Sequence, residues 1–178
     1  MADFRQRLPQ SRQAGLVFRP MDATDLEFLS SVYASTRDEE LRQVPWTQDE
    51  KRSFLHQQFE AQHAHYMQHY PDADWWVIEC NGEKIGRLYV EVWPSEHRLI
   101  DIALLPPWRG RGLGALMLTD LMSEASAAGK PLRIHVEKNN PAMRLYVRLG
   151  FVSIEDKGVY DLLEWKESFG KEPRGSRA

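Results

Sequence analysis

The chain has 178 residues, of which 42% are hydrophobic and 28% charged. That is the size and composition of one globular domain with enough apolar material for a sizeable core, which excludes global disorder. Lys plus Arg number 23 against 26 Asp plus Glu, a net charge of −3, so there is no broad positive field for holding phosphate backbones and no nucleic-acid partner is expected. The lone Cys80 cannot form an intramolecular disulfide, and the opening MADFRQRLPQSRQ lacks the apolar core of a secretory signal; the expectation is a cytoplasmic protein. No stretch approaches the roughly 20 apolar residues needed to cross a bilayer, so no membrane partner is expected either.

Residues 1–15 are polar and aperiodic and read as a flexible N-terminal segment; 166–178, with four basic and two acidic side chains, read as a basic C-terminal tail. The domain is expected over 16–165. Residues 16–19 make a short strand, and Asp22 with Asp25 offers a cap for a helix to about Thr36, with Leu26, Leu29 and Val32 as its buried stripe. The charged stretch RDEELRQVPW reads as a loop because it contains Pro45. Thr47 and Glu50 have capping-box spacing and start a second helix to about His69, with Leu55, Phe59 and Ala61 inward and Pro71 beyond its end.

WWVIEC and KIGRLYVEVW flank Asn81-Gly82, a pair that favours the positive φ angles of a tight hairpin turn, and HRLIDIALL is the next strand. Residues 112–128 predict a helix with Leu113, Met117, Leu121 and Ala125 on one face, and LRIHVE a strand. Asn140 and Pro141 open another helix carrying Ala142, Leu145, Tyr146 and Leu149, which stops at Gly150. FVSIE and VYDLLEW close the chain. The order is α+β around a mostly antiparallel sheet.

The chemistry points to residues 104–114, LLPPWRGRGLG, a strand end and a Gly-rich turn that opens a helix. Glycines let the backbone approach a phosphate, and the free N–H groups of a first helical turn point at it with the positive end of the dipole. Arg109 and Arg111 add charge suited to phosphate. A P-loop is excluded, since no Lys-Ser or Lys-Thr pair follows the glycines. Gly110, Gly112 and Ala115 match the dinucleotide pattern G-x-G-x-x-A literally, but the preceding strands are hairpin-linked and too few βα units follow.

These residues resemble the GCN5-related N-acetyltransferase (GNAT) superfamily, whose pyrophosphate loop [RQ]-x-x-G-x-[GA] is matched by Arg109, Gly110, Arg111, Gly112, Leu113 and Gly114. A second family motif, N-x-x-A-x-x-x-Y-x-x-x-G-F, is matched by Asn139, Ala142, Tyr146, Gly150 and Phe151. The resemblance covers about residues 16–165. It implies a three-layer α/β/α fold with a mixed, mostly antiparallel seven-stranded sheet, splayed between its fourth and fifth strands, and acetyl-CoA as cosubstrate. It further implies that the backbone of Leu104 and Leu105 pairs with the pantetheine arm, that N–H groups across Arg109 to Gly114 hold the pyrophosphate, and that Asn139 contacts the cosubstrate. A neutral amine would attack the thioester directly, a backbone N–H at Leu104 or its neighbour would stabilise the oxyanion, and Tyr146 would protonate the departing thiolate. Read without the resemblance, Tyr146 is a core tyrosine on an apolar stripe, Asn139 a helix-entry residue and the glycines turn formers.

The proton acceptor is not evident. Relatives place a Glu or His on the fourth strand at positions occupied here by Arg98 and Ile100, neither of which can take a proton from an ammonium. Asp101 has the opposite strand parity to Ile100 and is expected to face away from the acceptor; Glu91, Glu137 and His135 are candidates. His65 and His69 have metal-pair spacing without a third ligand, and Cys80 reads as a small apolar residue. The acidic Asp38, Glu39 and Glu40 with Trp46 would attract a cationic amine, whereas Arg87 and Arg98, if they line the cleft, would suit an acceptor with a carboxylate. The expected acceptor is a small-molecule amine, metabolite or amino-acid-like. The alternatives are a protein or peptide amine, or a non-catalytic acyl-CoA sensor, and exposed sheet edges allow a homodimer.

Overall fold

The computed structural model describes residues 7–168. One seven-stranded sheet runs in the order β1-β2-β3-β4-β5-β7-β6. Its strands are β1 (Leu16–Pro20), β2 (Asp74–Cys80), β3 (Glu83–Val92), β4 (His97–Leu104), β5 (Leu132–Glu137), β6 (Val152–Lys157) and β7 (Tyr160–Trp165), and its helices are α1 (Pro9–Gln13), α2 (Leu26–Arg42), α3 (Gln48–His69), α4 (Leu113–Ala127) and α5 (Met143–Arg148). Every pairing is antiparallel except β4 with β5. Helices α4 and α5 bury Met117, Leu121, Ala125 and Tyr146 against one face, with Leu88, Leu99, Ile134 and Val136 of the sheet. On the other face, Leu29 and Tyr33 of α2 and Phe59 of α3 close over Val77 and Tyr89. With both faces covered, β3 is buried along most of its length, as a central strand must be.

The predicted strands fall where expected, and the departures lie at helix ends. Helix α2 continues to Arg42 through the stretch read as a loop. Pro45 restricts only the residue before it, Arg37 pairs with Glu40 one turn on at 3.0 Å, and Leu41 is buried. Leu29 and Val32 are buried as expected, but Leu26 is exposed and Tyr33 takes the third inward position. In α3, Thr47 and Glu50 form the reciprocal cap, while Ala61 is exposed and Tyr66 packs inward instead. Helix α5 begins at Met143; Asn140 still caps the turn before it, its Oδ1 accepting from Ala142 N at 2.8 Å.

The N-terminal segment also departs from expectation. Leu8 is buried in the main core, and Pro9–Gln13 form α1. Asp120 of α4 accepts from the backbone of Gln10 and Ser11 at 3.2 and 2.8 Å, capping the orphan donors of this short helix from a distant part of the chain. Of the expected basic tail, 166–168 have no regular structure and the rest lies outside the described residues, as do 1–6.

Two features of β4 position the site. It pairs with β5 only at His97↔Leu132 and Arg98↔Arg133, after which the two strands part. The junction is clamped by charge: Glu96 accepts from Arg98 and from Arg133, each at 2.7 Å, and Arg133 reaches Glu164 of β7 at 2.7 Å. Further along, the β3–β4 register slips, Val90 facing Leu99 but Tyr89 facing Asp101, so that Ile100 is an extra residue in β4. A bulge of this kind breaks the simple alternation of side chains.

Candidate active site

Between the parted strands lies an open seam of backbone polar groups. Leu105 N donates to Ile85 O in β3 at 2.8 Å, and Leu105 O accepts from Trp108 N at 2.9 Å. Because successive backbone groups of a strand point to opposite sides, the N–H groups of Leu104 and Ile102 face the gap. Of the two residues expected to pair with a pantetheine arm, only Leu104 therefore presents its backbone there; Leu105 is engaged within the fold. The carbonyl of Leu104 accepts from Arg109 Nε at 2.8 Å, which leaves its N–H as the group facing a ligand.

The Gly-rich turn follows directly. A tight turn at Pro106–Trp108 leads into Gly110 and Gly112, with φ of 70° and 79°. This left-handed backbone is costly for any residue with a Cβ. Gly112 caps α4, and Leu116 N is the first to donate back, to Gly112 O at 3.0 Å. The N–H groups of Leu113, Gly114 and Ala115 have no partner within the helix and sit at its positive end. Arg111 lies over the Trp108 ring at 4.9 Å. The Arg109 guanidinium does not stand free beside the loop: it bridges Leu104 O to Ser35 Oγ of α2, the latter at 2.9 Å. Gap and loop thus form one continuous run of donors, suited to an extended amide arm ending in a diphosphate.

Tyr146 is 3% exposed and packs edge-on against Phe151, ring centroids 5.4 Å apart. Burial, and secondly the charge of Asp101, push its hydroxyl well above the ordinary phenol value. Among the described residues that hydroxyl has no hydrogen-bond partner. It is a protonated donor at neutral pH. Asn139 is exposed and lines an open depression of about 440 Å³ with Arg37, Glu40, Glu137, Lys138 and Val159.

The charged candidates sort clearly. Glu137 accepts from Arg37 of α2 at 2.8 and 3.1 Å, which holds its carboxyl below the usual range and makes it a poor base. Burial, then the neighbouring Arg98, lower His135; its Nδ1 faces Arg98 Nη1 at 3.1 Å, so the nitrogen that would accept a proton is already engaged. Glu91 takes the Asp72 N–H and Trp93 Nε1. Arg87 and Arg98 are 2% and 7% exposed and paired with Asp101 and Glu96, so neither is available to an acceptor's carboxylate.

Asp101 corrects the parity argument. With Ile100 as the extra residue, Asp101 turns to the same face as Ile100, where its Oδ2 accepts from Arg87 at 2.7 Å and from Tyr66 of α3 at 3.1 Å. Alternation cannot reveal a bulge. Also missed were Ser35 and Arg37, which tie α2 to both arms of the gap through Arg109 and Glu137. Their signal was the helical propensity of the residues before Pro45. The acids expected as a loop lie on the last turns of α2; Trp46 is 42% exposed and meets Phe54 edge-on at 5.2 Å. His65 and His69 stack at 4.0 Å, and among the described residues no group of three or more His, Cys, Asp or Glu could hold a metal ion. No described helix is long and apolar enough to cross a membrane.

Comparison with known proteins agrees with this geometry. Residues 35–151 match the model of the acetyltransferase (GNAT) family. A Bacillus subtilis (strain 168) protein named, provisionally, as a ribosomal protein bS18-alanine N-acetyltransferase is 29% identical over 135 residues, 74% of this chain and 78% of that one. A Haemophilus influenzae ribosomal protein bS18-alanine N-acetyltransferase is 31% identical over 81 residues, 45% of this chain and 56% of that one. Among solved structures, the PaiA N-acetyltransferase of Thermoplasma acidophilum in complex with coenzyme A superposes with a TM-score of 0.64 at 16% identity, covering 85% of this chain and 99% of that one.

Proposed function

Since the chain belongs to the acetyltransferase (GNAT) family, an N-acetyltransferase with acetyl-CoA as its cosubstrate, we propose that the amine it acetylates is the α-amine at the N-terminus of a protein. The observation that carries this reading is that both relatives above are named for an alanine of a ribosomal protein, not for a metabolite; alanine has no side-chain amine, so within a protein the free amine of an alanine is the α-amine of a chain that begins with it. It replaces the small-metabolite acceptor expected from the sequence. The charge arrangement supports it. An α-amine titrates near 8, against about 10.4 for a lysine side chain, so about a tenth of it is already neutral at pH 7. Such an acceptor needs less help from a base than a lysine side chain does, and His135, Glu137 and Glu91 are each already engaged.

When bound, acetyl-CoA supplies an acyl carbon activated as a thioester. The N–H groups of Leu113, Gly114 and Ala115 are assigned to its diphosphate, with Arg111 adding charge, and Leu104 N–H to the pantetheine arm. Ile102 or Leu104 N–H would stabilise the oxyanion. Tyr146 is assigned as the acid: the new N–C bond forms as C–S breaks, and the phenol proton passes to the departing sulfur. Arg109 acts through position, holding Leu104 and α2 together. Asn139, which lines the exposed depression beside Glu137, is assigned to the cosubstrate.

The test is thiol release from acetyl-CoA with a panel of alanine-initiated peptides, N-acetylated controls, amino acids and polyamines. Turnover confined to peptides with a free N-terminus is expected. Turnover with free amino acids or polyamines, and none with peptides, overturns the reading.

A further inference from the structure

We propose that Asp101 receives the proton of the attacking amine, an inference that rests on the acyl-transfer reading above. Three observations place it there. The bulge at Ile100 turns Asp101 onto the α2/α3 face of β4. The next residue, Ile102, sends its N–H into the gap, so the carboxylate flanks a backbone donor available to the acyl oxygen. The charge of Asp101 also reaches Tyr146 of α5, the residue assigned as the acid.

The hydrogen bonding of the carboxylate is divided in a way that fits the role. Oδ2 is fixed by Arg87, itself held by Gln62 Oε1 at 2.9 Å, and by the Tyr66 hydroxyl. Among the described residues Oδ1 accepts nothing, and the side chain keeps 15% of its surface exposed. One oxygen is anchored and the other open. The groups around it from the packed elements are Tyr66 of α3, Arg87 and Tyr89 of β3 and Tyr146 of α5, with His63 of α3 beside Arg87. Burial pushes Tyr66 up and Tyr89 up to about 12, and burial with Arg87 lowers His63. None of these tyrosines is ionised near pH 7, and Asp101 is the one carboxylate in this set. An ammonium arriving at Oδ1 is attracted by that charge. The ammonium first gives one proton through Oδ1 to solvent; as the neutral nitrogen then bonds to the acyl carbon and C–S breaks, its second proton passes to Oδ1 and the proton of Tyr146 passes to sulfur, so in the transfer step one proton enters the protein as another leaves. Exchange with solvent at the open Oδ1 resets the pair.

The experiment measures kcat/KM from pH 6 to 9.5 for the wild type and Asp101→Asn, using the best amine of the panel above, with acetyl-CoA affinity by calorimetry as the check on folding and cosubstrate binding. The wild type is expected to vary little above pH 6.5. Asp101→Asn is expected to be about 100-fold slower at pH 7, to rise tenfold per pH unit until the amine is neutral, and to bind acetyl-CoA normally. Removing the counter-ion of buried Arg87 is itself disruptive, so the doubly substituted Arg87→Met, Asp101→Asn protein, which leaves no uncompensated charge, must show the same profile. Asp101→Glu must restore most of the pH-independent rate. Parallel pH profiles in wild type and either Asn variant overturn the proposal, as does a loss that Asp101→Glu does not relieve. If peptides are inert but another amine turns over, only the peptide reading fails and Asp101 is judged on that amine; if no amine turns over, both readings fall together.

Discussion

In the reading proposed above, Tyr146 serves packing and chemistry together. Its ring fills the core beside Phe151, as its apolar stripe predicts, while its hydroxyl is left without an internal partner. A phenol packed by its ring normally finds a hydrogen bond for its hydroxyl; in the proposed reaction the departing thiolate is that partner. Tyr146→Phe keeps the packing and removes only the proton. The expected result is a fall in kcat of about 100-fold with acetyl-CoA affinity and melting temperature close to wild type, checked by steady-state kinetics and calorimetry. A variant with unchanged kcat would return Tyr146 to a purely structural role. At this scale the sequence is informative where a residue type is demanded by its backbone: Gly110 and Gly112 occupy left-handed turns. It misled where a neighbour decides the role, since nothing in the sequence says that Arg109 turns to Leu104 and Ser35 or that Arg37 occupies Glu137.

Among the elements, α2 runs past the end its sequence predicts, to Arg42, and carries the most consequence. Its added turns place Arg37 against Glu137 on the β5 side of the gap, while Ser35 holds Arg109 on the β4 side. The helix is a strap across the two arms. Glu137 is held below its ordinary value, first by the Arg37 hydrogen bond, against some opposing burial. A carboxylate lowered in the folded state contributes stability that is complete above its unfolded pKa of about 4.5 and is lost as pH falls through the lowered folded value. Arg37→Gln is therefore expected to cost about 1 kcal/mol at pH 7 for this partly exposed pair, and much less near pH 3, with faster amide exchange in the last turns of α2. Denaturant melts at the two pH values check this; an equal loss at both would mean that the Arg37 contact works through packing and not through charge. The bulge in β4 belongs to the same scale. Strand identity was legible from composition and turns, but a one-residue slip against β3 leaves no mark on a single sequence, and it decides which way Asp101 points.

For the whole molecule, local patterns accounted for the hairpin β2–β3 and the order of elements, whereas the splay became visible only through the family motifs. Its physical cause is distributed: a charged clamp of Glu96, Arg98, Arg133 and Glu164 closes β4 and β5 at one end, and beyond it β5 takes its pairing from β7 alone. The donors assigned to acetyl-CoA come from β4 and from the start of α4, so the ligand would join parts of the fold that backbone pairing leaves apart. A ligand that binds only the folded chain stabilises it by RT ln(1 + [L]/Kd), about 2.7 kcal/mol at a hundred times Kd. At this chain length that raises the melting temperature by roughly 5–10 °C. Gly112→Ala tests whether the gain runs through the loop. The left-handed backbone at Gly112 costs a side chain about 1–2 kcal/mol, so the variant is expected to melt lower without ligand and, because relieving that strain turns the first N–H groups of α4 aside, to gain less from acetyl-CoA. Scanning calorimetry of both proteins with and without acetyl-CoA measures the two effects separately. A variant that melts lower yet gains the full ligand shift would place the diphosphate away from the start of α4.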